Sequence, residues 1–408
     1  MIEATQAVAA KINFIKCSEE NRIQAINAIA KGIINNTKKI LTENKKDIEE
    51  AKANNISSAM IDRLVLDDER LEDLINSVYA IAEQPQVVGE ITESFTRDDG
   101  LKIQKQRIPL GVIGMIFESR PNVVIDCSCL AIKSGNCIIL KGGKEAHHSN
   151  MVFTQIVREA IREHIPENVV QLIESRDDVS ILLQQVGLVD VIIPRGGEKL
   201  IEHVYQNSKI PVIAHFKGLC HIFVDDSANY DKATKIIINA KTQRPGVCNA
   251  METLLLHEEL PETFIDNVFT QLISKGCELR ICPNTKTSIK DLKQATDEDW
   301  ATEYLDNILS VKTVKDVDEA IFHIGHYGSN HTEAILSANK NNIRKFESQV
   351  DASSIMINAS TRFNDGGQYG LGAELGISTT KLHAYGPMGA KEMTTQRFVV
   401  LGDGHCRL

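Results

Sequence analysis

Gly111-Val-Ile-Gly-Met-Ile-Phe117 and Cys137-Ile-Ile-Leu-Lys141, two short Val/Ile/Leu runs separated by a helix-length segment, decide the fold class. They open a series that continues at 169–173, 190–193 and 211–214, with helix-length stretches between the runs. Near-continuous apolar strands alternating with helices are the pattern of βαβ units: a parallel strand is covered on both faces, and its crossover must return along the sheet. A second series starts at His221-Ile-Phe-Val-Asp225 and runs through 251–257, 308–314, 333–337 and 350–358. Two α/β units in succession are expected.

Upstream, residues 2–84 carry apolar side chains at helical spacing, such as Ile23, Ile26, Ile29 and Ile33, and read as several helices. Within them the Lys-rich stretch 38–52 sets Lys45 and Lys46 against Glu49 and Glu50 at i,i+4, the pattern of a solvated helix face. Residues 93–107 read as a hairpin around Asp99-Gly100. A lone hairpin is marginal in water, so this one needs a partner. The run Arg397-Phe-Val-Val-Leu401 is a candidate strand that also lacks a local partner.

The chain has 408 residues, enough for two or three domains at roughly 150 residues each. Its 45 basic against 55 acidic residues give a net charge of -10, which disfavours nucleic acid. No 18-residue apolar run suggests a membrane span, and the N-terminus has no signal-peptide pattern, so a cytoplasmic protein is expected. Nine cysteines without a CxxC pair suit a reduced compartment, with one or two thiols at most doing chemistry.

Neither GxGxxG nor a P-loop occurs, and Gly370-Leu-Gly-Ala-Glu-Leu-Gly376 has the wrong spacing. Gly-Gly does follow two candidate strands, in Lys141-Gly-Gly-Lys144 and Pro194-Arg-Gly-Gly-Glu198. Such turns admit a phosphate to the backbone at the carboxyl ends of parallel strands, and they also serve as plain turns. Cys127, Cys129, Cys137, Cys220, Cys277 and Cys282 lie in or beside apolar runs, where an inert buried thiol is the default, and Cys17 and Cys406 sit near the termini. Cys248 lies in a turn of small residues, Arg244-Pro-Gly-Val-Cys-Asn-Ala250, that opens onto a strand, the setting a nucleophilic thiol needs. Histidines 147, 148, 323, 326 and 331 offer no spaced ligand set, so no metal is expected.

Further motifs then appear in order: Ser119-Arg-Pro-Asn122, Lys133-Ser-Gly-Asn136, Lys141-Gly-Gly-Lys-Glu145, Ile193-Pro-Arg-Gly-Gly197 and Pro245-Gly-Val-Cys-Asn-Ala-Met-Glu-Thr-Leu254. They continue with Tyr327-Gly-Ser-Asn-His-Thr-Glu333, Asn358-Ala-Ser-Thr-Arg362, Asp365-Gly-Gly367, Glu374-Leu-Gly-Ile-Ser378 and Gly386-Pro-Met-Gly389. The series resembles the gamma-glutamyl phosphate reductase family of the aldehyde dehydrogenase superfamily, over essentially the whole chain.

That resemblance implies an aldehyde dehydrogenase-like α/β fold: a Rossmann-type NADPH-binding domain at 1–92 and 110–215, and an α/β catalytic domain at 216–380. A β-hairpin oligomerisation arm would comprise 93–109 and 381–408, in a homodimer or homotetramer. It implies NADPH-dependent reduction of L-glutamyl 5-phosphate to the 5-semialdehyde and phosphate, in proline synthesis, on a small-molecule substrate. Cys248 would be the nucleophile, with Ser119 to Asn122 supplying an oxyanion donor for which Asn122 is the named candidate. Lys141, Gly143 and Lys144 would bind the cofactor, with Lys144 standing where NAD-preferring relatives place a glutamate, and Arg195, Gly196 and Gly197 would lie by its pyrophosphate. Arg120, Arg362, Asp365 and Glu374 are candidates for the charged glutamyl end, and glutamate 5-kinase is a candidate partner. Hydrolytic relatives carry a water-activating glutamate where this chain reads Ala214-His-Phe-Lys-Gly218, which argues against a hydrolytic dehydrogenase. A non-catalytic scaffold is the other rival, against which Cys248 stands. Tyr385, where the family often has arginine, and His215-Phe216-Lys217 are departures.

Overall fold

The computed structural model describes residues 1–56, 58–214 and 216–407; His215, among the departures noted above, lies outside the described residues. The chain forms two compact units. The first comprises Met1–Ala214, Gly370–Gly376 and Leu382–Leu408, and the second His215–Tyr369 with Ile377–Lys381.

The first unit begins with five helices, α1 (Ile2–Phe14), α2 (Glu19–Asn35), α3 (Thr37–Ala53), α4 (Ser58–Leu64) and α5 (Asp68–Glu83). The isoleucines at 26, 29 and 33 of α2 are fully buried, as their spacing requires. The face of helix α3 that carries Lys45, Lys46, Glu49 and Glu50 is solvated as expected, and the opposite face is buried. Lys45–Glu49 and Lys46–Glu43 do pair in the open, but Asp47 is buried and accepts the backbone N–H groups of His148 and Ser149 at 2.9 and 2.8 Å. It thereby satisfies two orphan donors at the start of a later helix.

Strands β1 (Ile91–Thr96) and β2 (Lys102–Pro109) form the hairpin. The C-terminal strand Thr394–Leu401 pairs antiparallel with the free edge of β2, from Thr394 opposite Pro109 to Leu401 opposite Lys102. The two strands without local partners thus belong to one three-stranded sheet. The parallel sheet follows: β3 (Val112–Phe117), α6 (Val123–Lys133), β4 (Cys137–Lys141), α7 (His147–Ile161), β5 (Val170–Leu172), α8 (Arg176–Leu182), β6 (Val191–Arg195) and α9 (Glu198–Asn207), in strand order β5-β4-β3-β6. Residues 211–214 make only an isolated bridge from Val212 to Ile192. Every residue of α6 is buried, as befits a helix covered all round.

The second unit carries seven parallel strands: β7 (Cys220–Val224), β8 (Met251–His257), β9 (Glu278–Ile281), β10 (Lys293–Gln294), β11 (Ile308–Val314), β12 (Thr332–Leu336) and β13 (Ser354–Ile357). Their order is β10-β9-β11-β8-β7-β12-β13, with helices α10 (Tyr230–Thr242), α11 (Glu262–Ser274), α12 (Val317–Tyr327) and α13 (Lys340–Gln349) as crossovers. Edge strand β10 and its neighbour β9 have no apolar run to announce them. Glu278 and Arg280 on β9 instead bond to each other at 2.9 Å.

Two buried ionisable groups carry consequences for stability. Lys133 has no exposed side-chain surface, and its ammonium meets Glu19 Oε1 at 2.7 Å and the carbonyls of Gln84 and Ala82 at 2.6 and 3.2 Å. Lys133→Ala strips these acceptors of their cation and should cost about 3 kcal/mol, read from urea denaturation. His323, fully buried, lies edge-on to the rings of His221 and Trp300. Burial above all, then the charges of His221 and Lys312, hold its pKa down at about 2 against an ordinary 6.5. The unfolded chain accepts a proton there that the folded chain refuses, so the stability present above about pH 6.5 falls on acidification. His323→Phe should flatten the loss of urea midpoint between about pH 7 and pH 5 relative to the parent chain.

Candidate functional site

In the second unit, α10 ends at Thr242 and β8 starts at Met251, and the turn between them carries Cys248. Cys248 is half-buried, whereas the six cysteines in or beside apolar runs are all buried. Burial pushes the thiols of Cys127, Cys137 and Cys277 up to about 12, and that of Cys220 well above its ordinary value. Cys220 Sγ lies 3.1 Å from the Cys248 carbonyl oxygen, to which it donates. Asn249 Nδ2 donates to the Asn364 carbonyl at 2.8 Å, tying the turn to the Asn358–Asp365 segment. Gly218 backs the cysteine closely: a Cβ there would stand 2.6 Å from Cys248 Cα. Gly218 is thus the floor of the thiol turn.

Two predicted charged residues belong to this unit. Arg362, half-buried in the short turn Thr361–Phe363, donates from Nε to Gln243 Oε1 at 2.7 Å. Burial lowers its pKa, Asp365 opposes that shift, and Arg244 adds to it. Asp365 Oδ1 accepts the N–H groups of Gly367 and Gln368 at 2.9 and 3.1 Å. Gln243 was not named from the sequence, and Arg244 was quoted there only as the first residue of the Cys248 turn, with no role of its own.

In the first unit, a cavity of about 820 Å³ opens at the carboxyl ends of β3 and β4, flanked by the segment after β5 and by α9, on the side where open parallel sheets bind ligands. Lys141, Gly143, Lys144 and Lys199 line it, together with Glu118, Glu145, Glu174 and Asp177. A side chain at either of the two glycines would displace a neighbouring one. A Cβ on Gly142 would lie 2.8 Å from Asn150 Cγ, and one on Gly143 would lie 2.5 Å from the Glu145 carboxyl carbon. Lys199 and the four carboxylates went unremarked in the sequence, although Glu145 sits inside a quoted motif.

The turn after β3 is held by acceptors. Ser119 has φ +45°, in the left-handed region, a conformation that costs a residue with a Cβ about 1 kcal/mol or more. Its backbone N–H and its hydroxyl both donate to Glu145 Oε1, each at 2.7 Å. Glu118 Oε2 accepts the Gly197 N–H at 2.8 Å. Asn122 Nδ2 donates to Asp126 Oδ2 at 2.9 Å, and burial raises the Asp126 pKa. Arg120 is half-buried in the same turn. The structure thus brings Ser119 to the lysine-bearing turn and Gly197 to the base of the Ser119 turn. Arg195 does not line the cavity: its Nη1 donates to the carbonyls of Glu374 and Leu375 at 3.0 and 3.1 Å.

Among the predicted histidines, His148 stands 3.3 Å from Glu50. The carboxylates of Asp225 and Asp226 and the ring of His257 come close enough together to share an ion. Asp225, however, already accepts the hydroxyls of Ser227 and Ser337, both at 2.6 Å, and Asn342 Nδ2 at 2.9 Å.

Residues 23–277 match the aldehyde dehydrogenase family. The chain is 46% identical over 409 residues to a gamma-glutamyl phosphate reductase of Caldanaerobacter subterraneus, covering 100% of this chain and 99% of that protein. It is 47% identical over 410 residues to one from Desulfatibacillum aliphaticivorans, covering 100% and 98%. The crystal structure of gamma-glutamyl phosphate reductase from Thermotoga maritima superposes with a TM-score of 0.96 at 44% identity, covering 100% of this chain and 99% of that one.

Gly218→Ala should displace the Cys248 turn and destabilise the chain by about 1–3 kcal/mol. Its signature is the alkylation rate of Cys248 by iodoacetamide, read by peptide mass mapping against Cys406 on the same molecule: the ratio changes in the variant.

Proposed function

This chain belongs to the aldehyde dehydrogenase family, and on that footing we propose that it reduces L-glutamyl 5-phosphate to L-glutamate 5-semialdehyde and phosphate through a thioester on Cys248. The observation that carries the reading is the half-buried Cys248 thiol on a turn floored by Gly218, beside buried and inert cysteines. The acyl phosphate is an activated carbonyl with a good leaving group, so a thiolate suffices to displace phosphate without a water-activating base. Tetrahedral intermediates concentrate charge on oxygen, and the donor types that receive it are a backbone N–H, as at Cys248, and a side-chain amide, the role the resemblance gives to Asn122. Ser119 supports that role through the backbone: both its donors are spent on Glu145, so it shapes the turn that carries Asn122.

The residues of the 820 Å³ cavity suit a nicotinamide dinucleotide. Glycine turns at strand ends let a pyrophosphate approach the backbone, and Lys141 and Lys144 suit the adenosine ribose. Such a cofactor, when bound, supplies the hydride. Lys144 would favour a 2'-phosphate, hence NADPH, because a cation there rewards the extra dianion. Arg195 supports the site indirectly, by fixing the backbone at Glu374 and Leu375. We assign Arg362 and Asp365 to the substrate, and the three-stranded sheet to self-association. That sheet leaves Phe95, Phe398 and Val400 more than half exposed, an apolar set suited to a second copy of the chain. Phe216 and Lys217 supply no carboxylate, which favours phosphate over water as the partner of the thioester.

Run in the oxidative direction with NADP and pyrroline-5-carboxylate, the purified protein should form NADPH only when inorganic phosphate is present, and Cys248→Ala should abolish turnover. Phosphate-independent turnover would instead identify a hydrolytic dehydrogenase.

A further inference from the structure

Gln243, Arg244 and Cys248 leave the end of α10 in a single turn, and Arg362 reaches that turn from the segment after β13. The contact is unusual in its chemistry. Arg362 uses its inner Nε–H on a neutral amide oxygen, Gln243 Oε1, at 2.7 Å. Its two outer Nη groups have no hydrogen-bond partner among the described residues, and Arg244, which is exposed, makes neither a hydrogen bond nor an ion pair among them. The electrostatic neighbours of the Arg362 guanidinium are Asp365, Arg244, Cys248 and Cys220. Asp365 is the single carboxylate of that set, and its Oδ1 already accepts two backbone N–H groups. Two guanidinium groups are therefore neighbours around a neutral anchor, on the turn that carries Cys248 and with its thiol in the surroundings of Arg362. Like charges at close range repel, and a half-buried one loses hydration as well; an anion seated between them relieves both costs.

Resting on the function proposed above, we propose that Arg244 and Arg362 form the subsite for the phosphoryl group of the acyl phosphate, and for inorganic phosphate in the reverse reaction. A guanidinium fork matches phosphate oxygens bidentately, and Gln243 fixes the plane of the Arg362 fork. The position suits the chemistry. As the Cys248 thiolate forms the C–S bond, the C–O bond to the phosphoryl group breaks, and its electron pair leaves on inorganic phosphate. No redox change accompanies that step. The same cations stabilise the thiolate before attack and the dianion after it. The α-carboxylate of the substrate, the competing anion, sits at the far end of the glutamyl chain from the carbon that Cys248 attacks.

The test uses the full chain in the oxidative direction, with Arg244→Gln, Arg362→Gln and Arg362→Lys. Each glutamine variant should raise the KM for inorganic phosphate about tenfold or more, with the KM for NADP unchanged. Arg362→Lys, which keeps the charge and loses the fork, should fall between. Inorganic phosphate should also slow iodoacetamide labelling of Cys248 in the resting parent protein, and do so less in each glutamine variant, a readout that needs no turnover. Unchanged phosphate KM and unchanged protection in variants that still bind NADP would overturn the proposal. So would a rise confined to the KM for the semialdehyde, which would give the arginines to the carboxylate. A parent protein that turns over without phosphate would overturn the function proposed above instead.

Discussion

Two carboxylates hold together turns that are far apart in the chain. Glu145 takes both donors of Ser119, and Glu118 takes the N–H of Gly197, so the loops after β3, β4 and β6 are cross-tied at their tips. Each tie satisfies a backbone donor at the mouth of a parallel sheet, where the strands end and their ladder can no longer do so. The left-handed backbone at Ser119 persists because both of its donors are engaged there. An acidic composition thus serves the interior as well as the surface. Asp47 at the start of α7, Asp126 under Asn122 and Glu333 against His221 follow the same rule: an oxygen acceptor is set where donors would otherwise be unpaired.

What the sequence disclosed follows from range. The alternation of apolar runs and helices was legible because each βαβ unit is local, and Cys248 was legible because its turn lies between one helix and the next strand. The association of the C-terminal strand with the hairpin was legible only through the resemblance, which put both in one arm, since nothing in either run marks a partner so distant in the chain. Strands β9 and β10 were missed because β10 is a two-residue exposed edge and β9 alternates polar with apolar residues over only four positions, so neither carries an apolar run. Glu118, Glu145 and Asp47 were invisible for another reason. A carboxylate that accepts backbone N–H groups has the same local sequence as one that faces water. Arg195 shows the reverse case, in which a motif position adjoining a glycine turn directs its guanidinium to backbone carbonyls.

The net charge of -10 sets a demand on a protein that handles phosphate. A uniformly acidic surface repels an anionic substrate, so binding must come from cations gathered locally. Lys141, Lys144 and Lys199 gather on one unit, and Arg244 and Arg362 on the other. The cysteine count resolves in a parallel way: burial silences most thiols by raising the cost of the thiolate, and leaves Cys248 half-buried in a turn.

The order of segments along the chain has a bearing on synthesis. The second unit is almost entirely one continuous stretch, 215–369, whereas the first requires 370–376 and the residues from 382 onward. Buried Asn136 donates to the Met393 carbonyl, and β2 receives its second neighbour only from 394–401. On the ribosome, the part made first is therefore the part completed last. The opening helices and parallel sheet wait, with an open strand edge and an unmet amide, until the closing residues emerge.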